Sequence, residues 1–242
     1  MIFLCGKGKG AEQILEFNYK TGLETCVFSP DDALTGLAFE LDIWHTAQSV
    51  NQMQWWPREP GLIVSCGYLD IITPAVIERV GGRVLNCHYA LLPNHRGRSS
   101  VPWAILDGDT VTGVTWHWID EGIDTGEILL QGTCRINPDE TQGSLFAKLD
   151  WLAAQYWPGA GLLAMKGDPG SGIPHRGRTQ YHKAGPPHGG VIDPAWTDEY
   201  VERFIRAMTH PPRPYAMFEG VEVKTFADYW QLKHERHDLQ PV

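Results

Sequence analysis

The stretch Val84 to Gln131 reads VLNCHYALLPNHRGRSSVPWAILDGDTVTGVTWHWIDEGIDTGEILLQ. It opens on a short apolar strand, Arg83 to His88, in which residues two apart share one face of a sheet. Asn86 and His88 therefore stand side by side, roughly 6 to 7 Å apart, and Cys87, one residue out of phase, is expected on the opposite face. Leu91-Leu92-Pro93 leaves the strand as an apolar shelf, and Asn94-His95-Arg96-Gly97-Arg98 makes a polar, cationic turn before a helix starting near Ser99 or Ser100. Thr112 to Ile119 reads as a further strand, and Asp120-Glu121-Gly122-Ile123-Asp124-Thr125-Gly126 as a loop whose two glycines permit backbone conformations closed to other residues. Asp124 on that loop can fold back towards His88. On spacing alone, a strand-end Asn and a loop Asp serve turns and caps more often than chemistry.

Working outward, strands and helices alternate. Ile2 to Cys5 is a buried first strand, and Gly6-Lys7-Gly8-Lys9-Gly10 follows it before a helical pattern of Ile14, Leu15 and Phe17. Strand, glycine turn, helix is how α/β folds place ligands at strand ends. Ala11 stands where a dinucleotide fingerprint has its last glycine, so a plain turn is at least as well supported. The functional version rests a substrate anion on the amides of Gly8 to Gly10, with Gly8 and Lys9 as substrate-binding residues. Thr25 to Phe28 reads as the second strand, broken by Pro30-Asp31-Asp32, and Ala33 to Ile43 carries no clear pattern. Gly61 to Cys66 is the unbroken apolar run of a central parallel strand, and Pro74 opens the helix after it. These units predict an α/β fold, an open Rossmann-like, mostly parallel sheet with helices on both faces; the strand around Thr115 lacks a clear crossover, so the sheet is expected to be mixed.

Glu127 to Ile136 is strand-like, and Asp139-Glu140-Thr141-Gln142 forms a capping box for a helix with Leu145, Leu149, Leu152 and Tyr156 on one face. Pro158 is expected to end or kink it. Gly167 to Pro194, rich in Gly, Pro and His, reads as a long loop, mobile without ligand, and His175, His182 and His188 lack the spacing of metal ligands. Thr197 to Met208 is a short helix, and Tyr215 to Phe218 with Val221 to Phe226 makes a hairpin across Glu219-Gly220. The expected division is a domain over 1–210 and a short hairpin and tail over 211–242.

Lys and Arg total 20 against 29 Asp and Glu, a formal charge of −9 that argues against a nucleic-acid partner. The five cysteines are scattered and never form a Cys-x-x-Cys pair, which suits reduced buried thiols. Met-Ile-Phe-Leu-Cys is too short for a signal-peptide core, and no apolar run approaches the roughly 20 residues of a membrane span, so no membrane partner and a cytoplasmic location are expected.

Taken in order, Asn86-Cys87-His88, Leu92-Pro93, Arg96-Gly97, Gly113-Val114-Thr115 and Asp124-Thr125-Gly126 form a pattern that resembles the 10-formyltetrahydrofolate-dependent formyltransferases, which include the glycinamide ribonucleotide, methionyl-tRNA and sugar N-formyltransferases. The resemblance implies a formyl transfer from 10-formyltetrahydrofolate, a co-substrate, to an amine, with no metal. Such transfer passes through a tetrahedral intermediate, so the site needs an oxyanion donor, a base and an anion to steady it. Asn86, His88 and Asp124 supply these in turn. By the same resemblance the pteridine docks on the backbone of Asp120, Gly122 and Ile123 and on the stretch after Cys66, Tyr68 and Leu69, with the aminobenzoyl ring over Leu91-Leu92. Asn51 falls near the amine substrate, and Arg96 is assigned to substrate binding beside Gly8 and Lys9.

The first reading of the acceptor is a nucleotide-linked amino sugar, from the short C-terminus, the acidic charge and Trp103, Trp116 and Trp118, each of which could stack on a base or sugar or serve the core. An amino acid, glycinamide ribonucleotide or methionyl-tRNA is the alternative acceptor; a non-catalytic folate-binding protein is the alternative from another class, and Asn86, His88 and Asp124 together argue against it. A homodimer is compatible with the sequence.

Overall fold

The computed structural model describes residues 1–170 and 181–235. These divide into two compact units that interleave along the chain, residues 1–96, 113–134 and 147–170 in one and 97–112, 135–146 and 181–235 in the other.

In chain order the elements are β1 (Ile2–Gly6), α1 (Gly8–Thr21), β2 (Thr25–Phe28), α2 (Asp32–Glu40), β3 (His45–Thr46), β4 (Leu62–Cys66), α3 (Pro74–Arg79), β5 (Val84–His88), β6 (Arg96–Gly97), α4 (Ser100–Leu106), β7 (Val111–Trp118), β8 (Ile128–Arg135), α5 (Gln142–Met165), β9 (Tyr181–His182), α6 (Asp198–Met208), β10 (Ala216–Phe218), β11 (Val221–Val223) and α7 (Phe226–Glu235). The main sheet has seven strands in the order β3-β2-β1-β4-β5-β7-β8. Strands β3, β2, β1, β4 and β5 are parallel, and β7 runs antiparallel to β5, so the sheet is mixed as its missing crossover predicted. The order reverses between β1 and β4, the switch point where open α/β sheets form a crevice at the carboxyl ends of their strands. Asn86 and His88 lie at that end of β5.

Strands β1, β2 and β4 are buried at every residue, as central strands covered on both faces must be. One face packs Phe3, Phe28, Ile63, Trp56 and Val84 into a single apolar cluster. On the other, the indole of Trp157 donates to Asn18 Oδ1 at 2.7 Å, satisfying two buried polar groups where α5 and α1 cover the sheet.

Three local expectations change. Residues 33–43, which carried no clear pattern, hold α2, started by Asp31, whose Oδ1 accepts from the Ala33 amide. Helix α5 runs through Pro158 to Met165, because Trp157, Ala160 and Ala164 are buried on either side of the proline and their packing outweighs one missing backbone bond. Its start is capped by Thr141 and Ser144, whose hydroxyls each accept the other's amide, and not by the Asp139/Gln142 pair.

In the second unit α4 packs on α6, and the Arg203 guanidinium donates to the Leu106 carbonyl. Helix α6 is capped by Thr197, whose hydroxyl accepts from the Tyr200 amide. The β10–β11 hairpin turns at Glu219 and Gly220, both with positive φ, the turn type favoured between twisted strands. The tail after it is a helix, α7. Asp228 accepts from the Lys224 and Thr225 amides while the Thr225 hydroxyl accepts from the Asp228 amide, a reciprocal cap, and Tyr229 is buried against Phe218. The loop expected over Gly167 to Pro194 contains β9 and a 3₁₀ turn at Pro187–Gly190; residues 171–180 of it, His175 included, lie outside the described residues.

Candidate active site

All parts of this site lie within the first unit. Alternation along β5 turns Asn86 and His88 to one face and Cys87 to the other, where its thiol meets that of Cys66. Burial pushes the Cys87 thiol well above its ordinary range, so it is inert as a nucleophile.

His88 is 7% exposed, and its Nε2 lies 2.8 Å from the His95 carbonyl, a contact that requires the proton on Nε2. Nδ1 is then the nitrogen left to accept a proton, and it faces Asp124 Oδ2 at 3.5 Å. Burial lowers the pKa of His88, the Asp124 charge opposing it, so the ring is held neutral and basic with an anion beside it.

Asp124 reaches this place through a rare backbone. Its φ is +52°, in the left-handed region, and the loop around it is tied down on both sides. Asp120 Oδ1 accepts from the Gly122 amide and the Thr125 hydroxyl at 3.0 and 2.6 Å, and Arg96 Nε donates to the Ile123 carbonyl at 2.9 Å. Gly126 lies so close to the Trp118 carbonyl that no Cβ fits. The loop is thus held by the protein's own hydrogen bonds, as preorganised sites are.

The turn after β5 is fixed from β7 and β8. Thr115 Oγ1 accepts from the Leu92 amide and donates to the Ala90 carbonyl at 2.7 Å, and Gln131 donates to both Thr115 Oγ1 and the Leu92 carbonyl. Gly113 sits against the Gly132 carbonyl and the Leu91 side chain, which explains a glycine before Val114 and Thr115. Leu92 itself is 3% exposed and belongs to the core, so the expected ring contact over Leu91-Leu92 narrows to Leu91.

The other sequence-derived residues separate. Leu69 and Ile123 are exposed apolar side chains, and Asp120 and Gly122 lie on the surface of the loop, so they fit a flat heterocycle with loop amides and apolar edges. The Tyr68 hydroxyl is occupied by the Val50 amide and the Ser49 hydroxyl, leaving its ring as the part a ligand can use. Asn51 clamps its neighbouring loop, its amide donating to the Ile71 carbonyl and accepting from the Thr73 amide. The anion expected at Gly8 to Gly10 meets protein carboxylates: the Gly8 amide donates to Asp31 at 2.8 Å, the Gly10 amide to Asp150, and Lys9 pairs with Glu12. Two of the three amides expected to hold it, those of Gly8 and Gly10, are thus paired within the protein. Trp116, expected at either a ligand or the core, is fully buried beside Trp157.

Sequence reasoning missed His117 and Ser65. His117 lies opposite Asn86 in the β5–β7 register, and Asn86 Nδ2 is 3.0 Å from its Nε2; Ser65 Oγ donates to Asn86 Oδ1 at 2.8 Å. Only the strand pairing reveals either neighbour.

Residues 43–160 match the formyl transferase family, and the fold and this site resemble those of formyltransferases. Within that class the chain resembles the sugar N-formyltransferases. The GDP-perosamine N-formyltransferase of Brucella melitensis is 37% identical over 161 residues, 66% of this chain and 61% of that protein, so the chain spans less than two thirds of that relative's length. The N-formyltransferase of Helicobacter canadensis, solved with folinic acid and dTDP-3-aminofucose, shares the fold with a TM-score of 0.73 at 20% identity, over 92% of this chain and 86% of that one. A formyltransferase from Anoxybacillus kamchatkensis, solved with UDP-4,6-dideoxy-4-formamido-L-AltNAc and tetrahydrofolate, is 26% identical with a TM-score of 0.55, over 75% of this chain and 85% of that one.

Proposed function

We propose that this protein transfers the formyl group of 10-formyltetrahydrofolate to the amine of a nucleotide-linked amino sugar. The observation that carries the reading is the buried, neutral His88 facing Asp124 and sharing its strand face with Asn86 at the carboxyl edge of the sheet. The folate supplies an activated formyl carbon. Asn86 offers an amide N–H to the carbonyl oxygen as it gains charge. His88 takes the ammonium proton at Nδ1, since Nε2 is committed to the His95 carbonyl, and Asp124 stabilises the cation so formed. Leu69, Leu91, Ile123 and the backbone of Asp120 to Asp124 form the surface for the pteridine and aminobenzoyl rings. Among the described residues no helix is long and apolar enough to cross a membrane. A cytoplasmic location is the one that suits a reaction drawing on the folate pool.

The likeness to a GDP-perosamine N-formyltransferase favours a sugar acceptor over an amino acid, glycinamide ribonucleotide or methionyl-tRNA. Incubation with 10-formyltetrahydrofolate and GDP-, dTDP- or UDP-linked amino sugars, alongside those three alternatives, tests it by release of tetrahydrofolate. Release with a nucleotide amino sugar supports the reading. Folate binding without release from any acceptor would point to a non-catalytic protein.

A further inference from the structure

We propose that His117 is a positioning residue that locks the amide of Asn86 in one orientation. This rests on the formyl-transfer reading for its consequence, and on geometry alone for its premise. His117 Nδ1 lies 2.8 Å from the Trp118 carbonyl, which accepts only, so Nδ1 carries a proton and in the neutral ring Nε2 carries the lone pair. That lone pair receives one N–H of Asn86 at 3.0 Å. From the strand on the other side, the Ser65 hydroxyl donates to Asn86 Oδ1 at 2.8 Å. The two ends of one amide thus meet an imidazole acceptor on β7 and a hydroxyl on β4, both in register with Asn86 on β5.

An asparagine amide rotated by half a turn presents oxygen where nitrogen stood, at almost no intrinsic cost. Here the rotation sets Oδ1 against the His117 lone pair and loses that bond, whereas the Ser65 hydroxyl can turn to accept from Nδ2, so the orientation is set by His117. The locked orientation matters because an NH2 group has two hydrogens. One is held by His117, and the other remains for a ligand oxygen, whereas a flipped amide would offer that oxygen a lone pair and repel it. His117 is 2% exposed and Asp124 Oδ1 stands 3.4 Å from its Nε2, so this imidazole also borders the carboxylate that serves His88. In this proposal His117 acts through Asn86.

The test is a double-mutant cycle with a spectroscopic arm. His117→Leu removes the acceptor at similar size, and His117→Gln keeps an oxygen that can replace Nε2. His117→Leu is expected to lower kcat about 10- to 100-fold, the scale on which supporting residues act, with folate Kd changed less than about two-fold. In an Asn86→Ala background the same substitution should change kcat less than about three-fold, since there is no amide left to orient. His117→Gln should recover most of the loss. Full additivity with Asn86→Ala, or a Gln variant no better than Leu, would overturn the proposal. Nitrogen-15 NMR of the wild-type imidazole reads the premise without any turnover: the Nδ1-protonated tautomer is expected, and the Nε2-protonated one refutes it. A protein that shows the expected tautomer and transfers no formyl group to any acceptor fails the functional reading while leaving the lock intact.

Discussion

Asp124 Oδ2 stands 3.5 Å from His88 Nδ1, although one residue ends a buried strand and the other sits in left-handed backbone on a surface loop. In the proposed mechanism the carboxylate stabilises the charge His88 acquires when it takes a proton, and three hydrogen bonds to Asp120 and Ile123 hold the loop. His88→Ala should lower turnover by roughly two to four orders of magnitude, the usual contribution of a general base, and leave folate affinity nearly unchanged. Steady-state formyl transfer with a separate folate titration checks this, and a variant of near-normal turnover would sink the mechanism.

The acid limb of the pH profile follows from the same pair. Burial holds the pKa of His88 below its ordinary 6.5, and the Asp124 charge works in the opposite direction. A base acts unprotonated, so kcat/KM should stay level near pH 6.5 and fall only as the pH drops further, through the lowered value. Asp124→Asn removes the upward pull and should shift the limb lower still, besides slowing the reaction. Stability follows the matching sign: the unfolded chain binds this proton first, so stability declines as the pH falls below 6.5 until the folded protein also binds it. An acid limb above 6.5 in the wild-type enzyme would contradict the assignment.

Gly113→Ala tests the close approach of β7 to β8. A Cβ there meets the Gly132 carbonyl and lies 2.7 Å from the Leu91 side chain, so the substitution should cost about 1–3 kcal/mol or more by strand displacement. Gly36→Ala is the control, because nothing lies within 4 Å in the middle of α2 and the helix should gain about 0.5–1 kcal/mol. Urea denaturation of both variants reads the contrast.

The Trp157 indole and the Asn18 amide form a buried pair at 2.7 Å. Asn18→Leu strands the indole N–H in the core and should cost about 1–3 kcal/mol. Adding Trp157→Phe removes the stranded donor, so the double variant should lose less than the sum of the two single losses. Strict additivity in thermal or urea unfolding would show that the pair is not coupled.

Along β5 the period of two is a property of neighbouring residues, so the placing of Asn86 and His88 on one face and Cys87 on the other is legible in the sequence itself. Asp124 is legible as a residue on a flexible-backbone loop, but its position against His88 follows only from resemblance. His117 is not legible at all. It becomes the partner of Asn86 through the antiparallel register of β5 and β7, which brings together residues 31 apart in the chain and leaves no periodic trace in either segment.

The amino-acid sequence by itself determined the alternating strand and helix runs, the buried central strands, the acidic balance and the glycines before Val114 and after Thr125, because these rest on local periodicity and composition. Tertiary structure alone decided what each polar group faces. Asp31 and Asp150 take the amides of Gly8 and Gly10 that a ligand anion was expected to fill, packing carries α5 past Pro158, and the residues after the hairpin close into α7 around buried Tyr229. In each case the partner is distant in the chain, and a hydrogen bond or a buried face found only on folding outweighs the local preference that the sequence displays.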